Sequence, residues 1–394
     1  MFEIVDEKRD GAVIKVIGVG GCGGNAVRHM MEKGVEGVEF IVANTDAQAL
    51  DKSPAPKRIS LGAQLTQGLG AGAKPDVGRD AAMESKMALQ EAIQGADMLF
   101  ITAGMGGGTG TGAAPVIAQM AREMGILVVA VVTKPFRFEM QKRERAAQAG
   151  IDELQKHVDS LIVVPNEKLI QVLGRNVKLQ AAFAASNDVL HGAVAGISEV
   201  IHKPGDVNRD FADVRTIMSE LGMAMMGTAT AVGDGRGKAA AMAAVKCPLL
   251  EDVDLQGARG VLLCITSSPD ITLDELCEIT ETVQEFIAPD ATMLWGQSFD
   301  AAMGDEVRVT MIATGLGKRK MVAVQGGIGA APRLEIPTLR TGTDNYTVLT
   351  TISDAVPTTV GMEVSYDEPT ITRNPGRSAS RSLEIPTFLR KQAD

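Results

Sequence analysis

Short apolar runs, each closed by glycine or a polar cluster, recur through the first half of the chain. Residues 13–19, 38–43, 98–102, 126–133 and 161–164 are such runs. Their apolar side chains sit at consecutive positions, not alternate ones. That is the pattern of a strand buried on both faces, as in a parallel sheet covered by helices. Segments of helical character separate them: residues 25–33, 76–94 and 113–124, the first two stopped by Gly34 and Gly95. Pro115 falls in the expected first turn of the third, where proline is tolerated. This alternation predicts an α/β fold with a Rossmann-like parallel sheet.

Residues 177–203 contain no proline and few charges. As one helix they would run about 40 Å at ~1.5 Å per residue. Their composition predicts a helix buried nearly all round, a spine between two domains, ended by Pro204 and Gly205. Beyond it, residues 223–232, 260–266, 291–295 and 306–313 read as strands, and 236–246 and 272–288 as helices. This is a smaller mixed-sheet domain. Residues 340–382 are rich in Thr, Ser, Asp, Asn and Pro and have little to bury, so a disordered linker is expected. Residues 383–394 recover apolar and basic character, the layout of a docking peptide on a tether, and residues 334–339 echo its start. The expected organisation is a nucleotide-binding domain (1–176), a central helix (177–203), a C-terminal mixed α/β domain with an acidic loop (204–317), a linker (318–382) and a docking peptide (383–394).

Composition narrows the function classes. A net charge of −10 over 394 residues disfavours a nucleic-acid binder. Aromatic residues are only 3%, so the core is aliphatic. Cys22, Cys247, Cys264 and Cys277 form no CxxC pair and no metal spacing, which suits a reduced compartment. The first ten residues are too charged for a secretory segment, and no apolar stretch reaches the ~20 residues that span a bilayer. A cytoplasmic protein is expected. The four histidines form no HExxH and receive no role.

Residues 104–112 read Gly-Met-Gly-Gly-Gly-Thr-Gly-Thr-Gly, with six glycines in nine positions. Glycine costs a folded chain entropy, so such a density needs a cause. A loop that must bring its amides onto a phosphate supplies one, and the two threonine hydroxyls can add donors. A glycine loop entering a helix N-terminus binds anions through free amides and the helix dipole together. A second glycine run, residues 20–24, follows the first strand, and a third surrounds Gly68, Gly70 and Gly72. Both of the first two loops lie at the carboxyl edge of the sheet, where ligands collect. Gly18, Gly20 and Gly23 also fit a dinucleotide fingerprint, with Asp46 as a loosely placed ribose acid. Three glycine loops favour a triphosphate instead. The chain has no GxxxxGK[ST], so amides and a bound cation must meet the phosphate charge. The simplest alternative for residues 104–112 is a tight turn used only for packing.

Asn208, Asp210 and Asp213 follow the spine. They read either as a helix N-terminus with acids matched to the dipole or as groups that orient a water or hold a metal. Since the spine starts near the nucleotide edge, its far end should lie a domain thickness away. One molecule could not then bring both together. Two stacked head to tail could, and repetition makes a filament. Glu139 and Arg143 stand four apart on the helix expected after Pro135, as an ion pair, or as a ribose contact by Glu139 and a phosphate or base-edge contact by Arg143. Phe183 and Asn187 stand four apart on the spine, as core filler or as a base-stacking and base-reading pair, with Asp188 an alternative reader.

Residues 106–112, together with 20–25, the Asn208-x-Asp210-x-x-Asp213 loop and the tail 385–390, make the chain resemble the tubulin/FtsZ family of GTPases, whose FtsZ members act in bacterial cell division. The resemblance runs from about residue 13 to 317 and resumes at the tail. It implies GTP/GDP binding with Mg²⁺, head-to-tail homopolymers in a mid-cell division ring under the membrane, and hydrolysis completed by the neighbour's acidic loop. Phosphate contacts are implied at Gly21, Cys22, Ala71, Ala73, Gly107, Gly108, Thr109 and Gly110. Ribose contacts are implied at Glu139 and Arg143, and guanine contacts at Asn25, Asn166, Phe183 and Asn187. The surrounding cradle takes in Gly20, Gly23, Gly24, Gly72, Gly104, Gly106, Thr111, Gly112, Thr133 and Pro135. The catalytic set is Asp210 and Asp213 with Asn208. Some relatives carry Asp where this chain has Asn187, and glycine where it has Cys22, whose backbone N–H is the relevant group. The tail resembles the peptide that docks membrane tethers and regulators of the FtsA, ZipA and MinC kinds, without direct membrane insertion. Two rival classes are an NAD-dependent oxidoreductase and a filament protein that never hydrolyses its nucleotide.

Overall fold

The computed structural model describes residues 11–174, 176–203, 210–220, 222–250 and 254–316. The first half runs β1 (Ile14–Val19), α1 (Gly20–Glu32), β2 (Val38–Asn44), α2 (Ala47–Asp51), β3 (Lys57–Ser60) and α3 (Ala63–Thr66). It continues through α4 (Pro75–Glu84), α5 (Lys86–Ile93), β4 (Met98–Gly104), α6 (Thr109–Glu123), β5 (Leu127–Lys134), α7 (Gln141–Leu154), β6 (Ser160–Pro165) and α8 (Asn166–Leu173). Then come α9 (Leu179–His202), α10 (Phe211–Met218), β7 (Gly222–Val232), α11 (Arg236–Val245), β8 (Gly260–Ser267), α12 (Leu273–Gln284), β9 (Thr292–Phe299) and β10 (Glu306–Leu316).

All ten strands join one sheet, in the order β3-β2-β1-β4-β5-β6-β7-β10-β8-β9. The six strands from β3 to β6 are parallel, as the unbroken apolar runs of β1, β2, β4, β5 and β6 predict. β1, β4 and β5 are buried at nearly every position. The two parts of the sheet meet in a short parallel ladder, Ser160–Ile162 against Gly222–Ala224. β10 is antiparallel to both β7 and β8. One core lies under α4, α5, α6 and α7, a second lies against α1 and α9, and a third lies under α11 and α12.

Several expected elements need correction. The run Gly20–Gly24 is no turn: it is the first part of α1, entered through Gly20 at φ 73°. α6 starts at Thr109, so Pro115 is its seventh residue rather than a first-turn one. The glycines and threonines counted as loop are helical there. Residues 76–94 are two helices broken at Ser85, whose Oγ accepts from Gly62 N–H (3.0 Å) and donates to Ser60 O (3.3 Å). The side chain's bonds to the preceding loop compete with helix continuity. α9 is buried all round only in its second half, from Ala193 to Ser198. Its first half is amphipathic, with Leu179 and Phe183 exposed. Two short helices, α2 and α3, and the edge strand β3 lie where no helix or strand was expected. Among the described residues no helix is long and apolar enough to cross a membrane. The linker and docking-peptide expectations for 318–394, and the helix stop at 204 and 205, lie outside the described residues.

Candidate functional site

The carboxyl ends of β1, β2 and β4 bring three loops together. Loop one is the start of α1, and loop two runs from Gly104 into α6. Loop three, residues 67–73, is pinned to the end of β2. There Ala47 N–H donates to Gly68 O (3.0 Å), Gly70 N–H donates to Thr45 O (3.1 Å), and Thr66 Oγ1 donates to the same carbonyl (3.3 Å). Thr45 and Thr109 share a hydroxyl–hydroxyl bond of 2.7 Å, which ties the end of β2 to the start of α6. The N-termini of α1 and α6 converge, so two helix dipoles and their unpaired amides face one hollow.

The glycines of these loops divide by what a side chain there would meet. A Cβ on Gly104 would lie 2.6 Å from Cys22 Cβ, and one on Gly110 would lie 2.7 Å from Gly104 O. One on Gly108 would lie 2.8 Å from Ala71 Cβ, and one on Gly106 would lie 2.7 Å from Arg143 O. Gly23 presses on Thr102 O, and Gly112 on Pro75 O. On Gly20 the Cβ would stand 3.0 Å from Gly110 N. These seven let the backbone pack closely on its neighbours, on the Cys22 and Ala71 side chains at Gly104 and Gly108 and on other backbone at the rest. Gly21 and Gly72 have open space where a Cβ would project, and Gly107 meets only Arg143 Nη2, at 3.9 Å. Gly24 meets only Val42 Cγ1, at 3.5 Å. The packing reading therefore holds at the first seven positions, whereas Gly21, Gly24, Gly72 and Gly107 have no packing need of glycine. Ala73 is held at φ 57°, a left-handed conformation that disfavours alanine, at the exposed rim of loop three. Ala71 is buried against Gly108.

Both threonine hydroxyls expected as added donors are engaged within the protein, Thr109 with Thr45. Thr111 is buried, and its Oγ1 accepts from Gly106 N–H (2.8 Å), so it fastens loop two. Cys22 Sγ sits 3.7 Å from Thr133 Oγ1, and burial pushes its thiol up, which keeps it uncharged. Glu139 and Arg143 do not share a helix. Glu139 ends a 3-10 turn (Arg137–Glu139), Met140 turns at φ 75°, and Arg143 lies in α7. They still pair, Nη1 to Oε2 at 2.6 Å. Glu139 also accepts from Phe136 N–H (3.0 Å), and Arg143 Nε donates to Gly106 O (3.4 Å). Pro135, half-buried, leads from β5 into this turn.

On α9, Phe183 meets Phe136 edge-on at 5.3 Å and keeps 41% of its surface exposed. Asn187, one turn further on, is half-buried. Asn166 is buried at the start of α8 and accepts from Ser186 Oγ (2.8 Å). Asn25 is exposed and accepts from Arg28 Nη2 (2.7 Å). A cleft of about 270 Å³ beside loop one is lined by Gly20, Gly21, Asn25, Arg28, Asn44 and Asp46, among others. Asp46, the ribose acid of the dinucleotide reading, is the N-cap of α2 and accepts from Ala49 N–H (3.2 Å). The sequence reading missed Asn44, Thr45 and Arg28. The polar pair that ends an apolar strand, Asn44-Thr45, was its available signal.

The acids lie elsewhere. Asp210 N-caps α10 and accepts from Asp213 N–H (2.8 Å), so the capping reading of this loop is realised. Asp210 is exposed and Asp213 half-exposed, while Asn208 lies outside the described residues. Two residues on, Arg215 Nη2 donates to Gly125 O (3.4 Å). Gly125 lies at the opposite end of α6 from Thr109. Fifteen helical residues separate those ends, about 22 Å at ~1.5 Å per residue. The acids therefore stand at the amino edge of the sheet, and the glycine loops at its carboxyl edge. Among the described residues no group of three or more His, Cys, Asp or Glu could hold a metal ion.

Comparison with known proteins gives two matching family models. Residues 13–174 match the GTPase domain of the Tubulin/FtsZ family, and residues 222–317 match the C-terminal domain of the FtsZ family. The chain is 51% identical to the cell division protein FtsZ of Pseudomonas aeruginosa and 48% identical to that of Wigglesworthia glossinidia brevipalpis, both over all of each chain. Among solved structures, an empty FtsZ dimer of M. jannaschii matches with TM-score 0.75 at 42% identity, over 80% of this chain and 94% of that one. CetZ2 of Haloferax volcanii, solved as a GTPγS-bound protofilament, shares the fold with TM-score 0.66 at 19% identity, over 78% of this chain and 94% of that one.

Proposed function

Since the chain belongs to the tubulin/FtsZ family of GTPases and has cell division proteins as full-length relatives, we propose that it polymerises head to tail and that each active site is shared between two subunits. One subunit supplies the cradle. Amides of Gly21, Cys22, Gly107, Gly108 and Gly110, with those of Ala71 and Ala73, hold the phosphates of GTP. Glu139, fixed by Arg143, holds the ribose. Phe183 offers a ring face to the guanine, and Asn25, Asn166 and Asn187 read its edge. The next subunit brings Asp210 and Asp213, with Asn208, to orient the attacking water.

The observation that carries this reading is the placement of α10. Its acids are tied through Arg215 to Gly125, at the far end of α6 from the cradle. Carboxylates held near the end of α6 opposite the cradle, with a helix about 22 Å long between, are placed to act on a neighbour's phosphate rather than their own subunit's. The solved dimer of the M. jannaschii relative is in keeping with assembly. Oxygen donors of this chain at the cradle, Thr45, Thr109, Asn44 and the Asp46 carboxylate, suit Mg²⁺, which keeps most of its ligands as phosphate oxygens and water. When bound it would offset charge on the phosphates. Loss of the γ-phosphate then weakens the joint between subunits and allows turnover. Residues 383–394 dock membrane tethers and regulators of the FtsA, ZipA and MinC kinds, which hold the polymer at the mid-cell division site. The oxidoreductase alternative draws no support from the family models, which match the GTPase domain over residues 13–174.

Mixing two inactive variants tests the shared site. Asp213→Ala keeps the cradle and lacks an acid, whereas Gly107→Val blocks the cradle and keeps both acids. The mixture should recover GTP hydrolysis that neither variant shows alone. A mixture as inactive as its parts would point to a site complete within one subunit.

A further inference from the structure

α1 and α9 carry the proposed base-reading residues on facing stripes. On α1, Gly21, Asn25 and His29, with Lys33 at its C-cap, follow at four-residue spacing, so they share one face. On α9, Phe183, Asn187 and His191 do the same. The upper turns of both stripes hold the candidate ligand contacts. One turn further along, about 6 Å at ~1.5 Å per residue, the helices are joined by polar groups. His29 Nε2 lies 2.7 Å from Asp188 Oδ1, and Lys33 Nζ lies 3.9 Å from the same oxygen. A carboxylate only accepts, so the His29 hydrogen is on Nε2. His191 packs edge-on against His29 with ring centroids 6.3 Å apart. Burial holds its imidazole down to about 4, so it adds no positive charge beside the bridge near neutral pH.

We propose that the His29–Asp188 bridge is the floor of the guanine pocket and sets the gap between α1 and α9. His29 and Asp188 are positioning residues: they hold Asn25 and Asn187 at the separation the base requires. The role has a chemical reason on this chain. Asn187 reads the base with a neutral amide, a weaker acceptor for the guanine N–H groups than a carboxylate. The adjacent Asp188 carboxylate is spent on His29, which leaves Asn187 the residue placed toward the base. The inference rests on the reading of this pocket as a guanine-nucleotide site.

The test is a fluorescence titration of the full-length chain with a fluorescent GDP analogue. His29→Leu keeps the bulk and removes the donor, whereas His29→Gln places an amide N–H near the position of Nε2. Loss of a charge-assisted hydrogen bond predicts about a tenfold rise in Kd for His29→Leu. His29→Gln should return Kd to within about threefold of the parent, a rescue that a purely space-filling role would not give. An unchanged Kd in His29→Leu overturns the proposal, as does a His29→Gln variant as weak as His29→Leu. If His29→Leu does not fold, Asp188→Ala makes the same test from the other helix. Failure of the parent chain to bind the analogue would instead sink the pocket reading beneath it.

Discussion

Gly21 and Gly104 lie within one cradle, yet they should respond to alanine in opposite ways. Gly21 is the second residue of α1 and has open space where a Cβ would point. Alanine there gains helix propensity, about 0.5–1 kcal/mol. That corresponds to a rise in Tm of roughly 1–3 °C for a body of this size. The same methyl projects from the lining of the cleft beside loop one, where the Gly21 amide is proposed to meet a phosphate. Losing one charge-assisted hydrogen bond at about 1.5–3 kcal/mol weakens nucleotide binding by roughly ten- to a hundredfold. Gly104 is the converse case. Its Cβ would stand 2.6 Å from Cys22 Cβ and 2.8 Å from Cys22 Sγ, well inside van der Waals contact. Relieving that overlap costs about 1–3 kcal/mol, so Gly104→Ala should lower Tm. Cys22→Gly in the same chain removes both clashing atoms and should restore it. Differential scanning calorimetry and GDP titration read the two effects separately. The division of the glycines is refuted if Gly21→Ala binds GDP as the parent does, or if Cys22→Gly fails to rescue Gly104→Ala.

Asp213→Ala should bind GTP and assemble while hydrolysing about a hundredfold more slowly, the usual worth of a positioned acid or base; loss of GTP binding would place Asp213 in its own subunit's pocket. A chain lacking residues 383–394 should polymerise and hydrolyse GTP normally while losing its docking partners; a truncation unable to polymerise would make the tail part of the assembly interface. Burial lowers the His191 imidazole from its ordinary 6.5 to about 4, so the unfolded chain takes up the proton first as pH falls. Its contribution to stability should be complete above about 6.5 and decline toward about 4, and His191→Gln should flatten that part of a denaturation-against-pH curve. An equal slope in both proteins would mean that other groups govern the range.

Much of this fold is written in local pattern. The strands at 98–104 and 127–134 are apolar at consecutive positions because both faces are covered, and no polar alternation obscures them. Glycine density located the cradle. It did not reveal that Gly20–Gly24 is helical, because glycine's low helix propensity is overridden here by packing of Gly23 on Gly18 and Thr102 and of Cys22 against Gly104. Gly104, Gly106, Gly110 and Gly112 look like Gly107 in sequence, and only the arrangement of backbones around them separates packing from open space. The break at Ser85 depends on a hydrogen bond to Gly62, twenty-three residues away, which no local window contains. The first half of α9 leaves Leu179 and Phe183 exposed, which only the tertiary arrangement decides, whereas its composition signalled burial throughout. Glu139 and Arg143 came together as their spacing suggested, through a turn and a helix rather than one helix.

A shared active site has one direct kinetic signature. Phosphate release from GTP, measured per mole of protein across a dilution series, should rise from near zero only above a threshold concentration at which subunits meet. A specific activity that stays constant down to the highest dilution would mean that each molecule carries its own complete machinery, and would contradict the account.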